Sequence, residues 1–144
     1  MTQLRLSGPH DARALAGIWR RSVRATHDFL REEDFVEIER LVADHYLPQA
    51  RLWVIEHEGA PVGFMGLSGS HVDALFIDPA HHGEGLGRAM LEHAARLEGH
   101  LTVDVNEQNA AAVGFYERMG FRRTGRSPLD DAGRPYPLLH LRQD

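Results

Sequence analysis

Three glycines at alternate positions, Gly83, Gly85 and Gly87, follow an apolar run, Ala74-Leu75-Phe76-Ile77, and lead directly into a helical pattern with apolar residues at Leu86, Met90, Ala94 and Leu97. The run suits a buried strand, and Asp78-Pro79 ends it because proline has no N–H to add to a ladder. Glycines let the backbone turn tightly and approach a ligand closely. A helix opening just beyond them presents unpaired N–H groups and the positive end of its dipole. Strand, glycine loop and helix start together make an anion site, most often for phosphate or pyrophosphate. Earlier on the same strand His71 and Asp73 alternate, so both point to one face. Histidine has the right pKa to take a proton from an ammonium through water, which makes this pair the candidate base. The plainer alternative is a surface histidine at a strand end and an aspartate that satisfies a loop.

The phosphate ligand can be narrowed by elimination. A P-loop needs a lysine after its last glycine, and all sixteen Lys+Arg residues of this chain are arginines. A dinucleotide fingerprint starting at Gly83 puts its third glycine on Arg88, where a helix must pack closely on a sheet. Asp104 lies at roughly the 20-residue distance of the ribose-binding acid, but the loop before the first glycine is too long. Both readings fail.

The pattern His82-Gly83-Glu84-Gly85-Leu86-Gly87 resembles the acetyl-CoA loop of the GNAT superfamily of N-acetyltransferases, Q/R-x-x-G-x-G/A, with His82 where that family prefers glutamine or arginine. Asn109 to Phe121, NAAAVGFYERMGF, resembles a second family segment, N-x-x-A-x-x-F-Y-x-x-x-G-F, in the expected order and with a strand between. The stretches ATHDFL and GRPYPLL are similar to a small bacterial branch, the YjaB-like acetyltransferases.

The resemblance implies an α+β fold. Its mixed, mostly antiparallel sheet has six to seven strands and four flanking helices, and its fourth and fifth strands run parallel and splay apart. It implies acetyl-CoA as cosubstrate, with the backbone of Leu75, Phe76 and Ile77 pairing with pantetheine and polarising the thioester. The amides of His82, Gly83, Glu84, Gly85, Leu86, Gly87 and Arg88 would hold the pyrophosphate, His82 mostly through its backbone, and Arg88 would add a charge-assisted contact. Tyr116 takes the family's place for a general acid that protonates the departing thiolate. A phenol of ordinary pKa near 10 is protonated at neutral pH, so that role needs no shift. Its alternative is a core tyrosine beside Phe115 and Phe121. Asn109 would contact the pantetheine arm or cap a helix, and Asn106 would face the same gap or form a turn. His27 and Asp28 would line the acceptor pocket, and Trp19, Tyr46, Trp53 and Tyr136 fit core and pocket wall equally.

These groups need a scaffold, and 144 residues, 42% of them hydrophobic, make one domain with a single core, residues 1–144. No run has the length of a membrane span, and the first residues, MTQLRLSGPH, lack a signal peptide's apolar region; the expectation is a cytoplasmic protein. With no cysteine there is no disulfide, thiolate metal site or cysteine nucleophile. The net charge of −5 argues against nucleic acid and suits a cationic amine. Ten histidines show no metal-ligand spacing, so no metal is expected.

Alternating Leu4 and Leu6 predict a first strand, and Pro9 with Asp11 a helix start carrying Leu15, Ile18, Trp19 and Val23, with the period broken from Ala25 to Leu30. Glu32, Glu33 and Asp34 open a second helix whose apolar side runs through Phe35, Ile38, Leu41 and Val42 to Tyr46 before Pro48. Residues 52–56 and 62–67 read as strands around a turn at Glu58-Gly59, and 72–77 as a third. After the glycine-loop helix, which closes at Gly99, come a strand at 101–105 and a helix at 110–119 capped by Gly120. Strands at 121–126 and 138–141 complete the chain. The expectation is an acetyl-CoA-dependent N-acetyltransferase that acetylates a primary amine in a ternary complex, working as a monomer or homodimer, with no membrane partner. The rivals are a non-catalytic acyl-CoA sensor and a nucleotide binder.

Overall fold

A computed structural model describes residues 2–143. Its elements are β1 (Thr2–Leu6), α1 (Ala12–Thr26), α2 (Glu32–Leu41), β2 (Trp53–His57), β3 (Ala60–Ser68), β4 (His71–Ile77), α3 (Leu86–Glu98), β5 (Thr102–Asn106), α4 (Ala110–Arg118), β6 (Phe121–Ser127) and β7 (Leu138–Gln143). Hydrogen bonding links seven strands in the order β1-β2-β3-β4-β5-β7-β6. β4 and β5 are parallel, and their ladder holds His71↔Thr102 and Val72↔Val103. The fold is thus the mixed α+β arrangement expected, with four α-helices. Among the described residues no helix is long and apolar enough to cross a membrane.

The chain divides into two compact units, one running up to Gly66 and including Ala74–Met90, the other made of Leu67–Asp73 and the residues from Leu91 onward. In the first, β1, β2 and β3 pair antiparallel, and Glu58 and Gly59 turn the β2–β3 hairpin with φ of 50° and 83°. Helix α1 lays Leu15, Ile18, Trp19 and Val23 against Phe35 of α2 and against Val54 and Phe64, with Ala74 and Phe76 of β4 packed on that cluster. Each such side chain contributes about 1.5–3 kcal/mol of burial. Arg5 clamps the Asp11 carboxylate through two bonds of 2.8 Å, and the Gly8 amide adds a third at 2.7 Å, so the buried charge at the start of α1 is satisfied.

Several expectations shift here. Ala25 and Thr26 are still helical, because the Leu15 stripe buries α1 to its last turn. The second helix is α only to Leu41, and Val42–Tyr46 form a π turn closed by Leu47 N–H to the Val42 carbonyl at 2.9 Å. Pro48 brings no N–H and crowds the carbonyl four residues back, so the last turn widens. Leu41 and Leu97, assigned to apolar faces, are 48% and 51% exposed, and each lies at the end of its helix beyond the packed stripe.

In the second unit β5 and β7 pair antiparallel, as do β7 and β6, and one face of these strands buries Val103, Val105, Leu139, Leu141 and Phe121. Helix α4 lies on that face, since its Tyr116 meets Phe121 edge-on at 5.3 Å. Gly120 ends the helix at φ 91°, the left-handed cap its position predicts. Thr102, Asp104, Asn106, His140 and Arg142 occupy the other face by alternation.

Candidate functional site

In the first unit the site is built where β4 runs into the glycine loop. Ser22 of α1 donates its hydroxyl to the Ile77 carbonyl at 3.0 Å, and the His82 ring reaches the same oxygen through Nε2 at 2.9 Å. Arg21 bonds Asp78 at 2.6 Å, and Ala80 N–H caps the other carboxylate oxygen. The Arg21 guanidinium, helped by that amide, holds the Asp78 carboxyl below its usual range. Asp78 N–H returns to the Val62 carbonyl at 2.8 Å. The end of β4 is therefore tied to α1, to β3 and to the loop.

Beyond it Gly83 and Gly85 adopt φ of 83° and 79°, a region that costs any other residue strain, and a Cβ at either would meet open space. The first α3 bond runs from Ala89 N–H to the Gly85 carbonyl, so the amides of Leu86, Gly87 and Arg88 have no partner within the helix. Open backbone, free amides and the positive helix end suit a pyrophosphate. Leu86 sends its side chain into the core and has only backbone to offer; Arg88 is exposed, and Glu84 bonds His81 at 3.2 Å.

Two sequence expectations are corrected here. The His82 amide, expected to be free for the pyrophosphate, closes a short turn onto the Pro79 carbonyl, while the ring bonds the Ile77 carbonyl. The Ile77 carbonyl is occupied by Ser22 and His82, which removes it from the groups open to pantetheine; for Leu75 and Phe76 no such side-chain bond is seen. His27 and Asp28 follow α1 directly. His27 is half-buried, its Nδ1 lies 2.8 Å from the Thr26 hydroxyl, and its ring meets Phe29 at 5.2 Å. Burial pushes its pKa down to about 4 against a small opposing pull from Asp28, so the ring is neutral at neutral pH.

The second unit holds the other candidates. Tyr116 is 7% exposed, braced edge-on by Phe115 and Phe121, and its hydroxyl makes no hydrogen bond among the described residues. Burial raises its pKa above the ordinary phenol value and so holds the proton more firmly than the role requires. Asn109 caps α4, accepting from Ala112 N–H at 3.1 Å, and Asn109 N–H bonds the Asn106 carbonyl at the end of β5.

His71 and Asp73 share a strand face but not a partner. The Asp73 carboxylate takes the Ser68 hydroxyl, while His71 Nδ1 lies 2.8 Å from Thr102 Oγ1 and its Nε2 lies 3.6 Å from Asp104 Oδ2. Asp104 Oδ1 in turn bonds His140 Nδ1 at 2.6 Å, and His140 Nε2 bonds the Ser127 hydroxyl at 2.7 Å. Sequence reasoning singled out neither Thr102 nor His140. It met Asp104 only as a failed ribose-binding acid. Their connection depends on the β5–β7–β6 register, which joins segments far apart in the chain.

Known proteins share this architecture. The family described as "Acetyltransferase (GNAT) domain" matches residues 48–123. The peptidyl-lysine N-acetyltransferase YjaB of Salmonella typhimurium (strain LT2) is 54% identical over 98% of this chain and 97% of its own. The solution structure of apo-form YjaB from Escherichia coli superposes with a TM-score of 0.94 at 53% identity, covering 99% of this chain and 97% of that one. The PaiA N-acetyltransferase of Thermoplasma acidophilum, solved in complex with coenzyme A, has a TM-score of 0.81 at 15% identity, covering 100% of this chain and 99% of that one, and shares the fold.

Proposed function

Since the chain belongs to the GNAT superfamily of N-acetyltransferases, we propose that its 144 residues form one catalytic domain, working in the cytoplasm, that moves the acetyl group of acetyl-CoA directly to the side-chain amine of a peptidyl lysine. The lysine acceptor rests on the name carried by the relative that is 54% identical. The amides of Leu86, Gly87 and Arg88 at the start of α3, with the Gly83–Gly85 backbone, hold the pyrophosphate. The backbone of Leu75 and Phe76 pairs with pantetheine, and Asn109 contacts the same arm while capping α4.

The observation that carries this reading lies within the second unit. Tyr116 stands on the Val103 face of β5, and His71 stands with Thr102 and Asp104 on the opposite face, at the end of the β4–β5 ladder. Acetyl transfer needs a proton taken from the attacking ammonium and another given to the leaving thiolate. Two faces of one strand separate those jobs. Tyr116, protonated and with a hydroxyl that no described residue occupies, gives its proton to the sulfur. His71 is the group that takes the proton from the amine, with Thr102 between. His27 and Asp28, at the end of α1, meet the acceptor.

Incubation with acetyl-CoA and a panel of lysine peptides, free lysine and small amines, followed by release of free thiol, tests the reading. Thiol release that depends on a lysine peptide, with the acetyl group found on the lysine Nζ, is expected. Coenzyme A binding without turnover on any amine would mean a sensor module instead. Thermal protection by ATP or NAD but not by coenzyme A would remove the acetyl-CoA assignment.

A further inference from the structure

Two neighbouring side chains of helix α1 grip the end of β4. Ser22 is 4% exposed, and its hydroxyl donates to the Ile77 carbonyl at 3.0 Å. A hydroxyl inside a helix ordinarily turns back to a carbonyl of its own helix, as Thr26 does to the Ser22 carbonyl at 2.8 Å. Ser22 reaches across to another element instead. A carbonyl only accepts, so His82 meets the same oxygen as an Nε2–H donor at 2.9 Å, and the loop itself supplies the second half of the grip. Arg21 places Nε and Nη2 at 3.1 and 2.6 Å from one carboxylate oxygen of Asp78, the next residue along. Its guanidinium lies back over Gly17, where a Cβ would come within 3.1 Å of Nη1.

The gripped segment has no open amide. Asp78 N–H bonds the Val62 carbonyl, Pro79 has no N–H, and Ala80 N–H goes to the Asp78 carboxylate. The amides of His81 and His82 bond back to the Asp78 and Pro79 carbonyls. Residues 77–82 thus form a closed spacer between two stretches of backbone with different work. Leu75 and Phe76 before it pair with pantetheine on the reading above, and the amides of Leu86, Gly87 and Arg88 beyond it take the pyrophosphate. A ligand held at two points gains from both only when the span between them matches its own.

We propose that Arg21 and Ser22 are positioning residues for acetyl-CoA, which with the His82 ring lock the joint at Ile77 and Asp78 and so set the span between the pantetheine strand and the pyrophosphate loop. The proposal rests on the acetyl-CoA reading and adds to it two residues of α1 that the reading leaves without a role. Ser22 acts on the backbone, by holding the Ile77 carbonyl away from the pairing edge of β4. Arg21 acts on charge as well. A bare carboxylate just ahead of an anion-binding loop repels the ligand, and the guanidinium on Asp78 offsets that repulsion.

The full-length protein is followed by calorimetric titration with coenzyme A, by steady-state kinetics with acetyl-CoA and a lysine peptide, and by thermal melts. Ser22→Ala and His82→Phe each weaken coenzyme A about two- to tenfold, the worth of one hydrogen bond. Together they cost more than the product of the two, since the Ile77 carbonyl then keeps no side-chain partner. His82→Gln retains an amide donor and returns the affinity toward wild type. Arg21→Ala raises the KM for acetyl-CoA several-fold. Adding Asp78→Asn recovers most of that loss, because the charge is gone while an oxygen remains for Ala80 N–H. The KM for the peptide and kcat at saturating acetyl-CoA stay within about twofold throughout, a split that a general loosening of the fold would not give. The Arg21 side chain is 55% exposed, so its variants keep the fold and decide the matter even where loss of the buried serine unfolds the chain. Wild-type coenzyme A affinity in the folded variants, with or without a lowered melting temperature, overturns the positioning role alone. A deeper loss on adding Asp78→Asn overturns the part assigned to charge. A wild-type protein that does not bind coenzyme A removes the acetyl-CoA reading and the positioning with it.

Discussion

Tyr116 combines a ring fixed on both edges by phenylalanines with a hydroxyl that no described residue binds. The residue as a whole is buried while its hydroxyl has no partner among the described residues, which leaves that oxygen open to a group that arrives with the substrate. Tyr116→Phe removes only that oxygen. It is expected to cut kcat by about 100-fold or more, the usual worth of a positioned acid, with coenzyme A affinity nearly unchanged and melting stability within about 0.5 kcal/mol. Steady-state kinetics beside calorimetric titration of coenzyme A checks all three, and an unchanged kcat would exclude the phenol from the mechanism. The raised pKa adds a second expectation. A phenol whose pKa lies above its ordinary value near 10 keeps its proton throughout neutral and mildly alkaline solution, so kcat should hold its plateau to about pH 9.5. A decline centred near pH 8 would assign the acid to another group. The tyrosine was legible in the sequence as part of a motif, whereas the His82 contact was not. A glycine-spaced loop predicts which amides lie free, but only the turn at Pro79–His81 shows that the His82 amide is taken and that its ring reaches back to Ile77.

Elements here are held by a few side chains at their ends, and those ends give the protein its response to acid. The Asp11 carboxyl, lowered to about 2 first by the hydrogen bonds from Arg5 and then by the Gly8 amide, joins β1 to the start of α1. A carboxyl depressed in the fold stabilises above its unfolded pKa and loses that stability as pH falls through its folded one. The window is therefore about pH 4 to 2, worth on the order of 2 kcal/mol. His27, lowered to about 4 by burial at the other end of α1, acts one window higher. The unfolded chain binds its proton below about 6.5 and the folded chain does not, so stability falls as pH drops from 6.5 toward 4. Urea melts at stepped pH should show His27→Gln flattening the upper window and Asp11→Asn the lower. A single unchanged slope in either variant would contradict the assignment. β4 offers a steric counterpart. A Cβ on Gly63 would lie 2.9 Å from the Phe76 carbonyl oxygen and 2.6 Å from Ile77 Cδ1. Gly63→Ala should destabilise by about 1–3 kcal/mol, as overpacking does, and weaken coenzyme A binding several-fold by displacing the strand that feeds the loop. Strand and helix positions were readable because alternation and the α1 stripe are local. The π turn after α2 and the β5–β7–β6 register were not, since the first answers a proline and the second joins Asp104 to His140 across 36 residues.

Charge and composition act on the whole molecule. The chain has no lysine among its sixteen basic residues, so on the proposed lysine-acetylating reading it carries no lysine side chain of its own to modify. Intact mass after prolonged incubation with acetyl-CoA alone should show no acetyl on any side-chain amine, and a lysine peptide added afterwards should take up the label. The net charge of −5 makes a further demand. A negative protein draws cationic peptides toward it over distances that salt limits to about 10 Å at 0.1 M ionic strength. At saturating acetyl-CoA, the KM for an arginine- and lysine-rich peptide should therefore rise several-fold between low and 0.5 M salt. Over the same range the KM for a peptide with one lysine and balancing acids should hardly move, and kcat for either should stay level. Equal salt responses for the two peptides would show that recognition comes from contacts at the lysine itself. The surface charge would then serve solubility rather than acceptor choice.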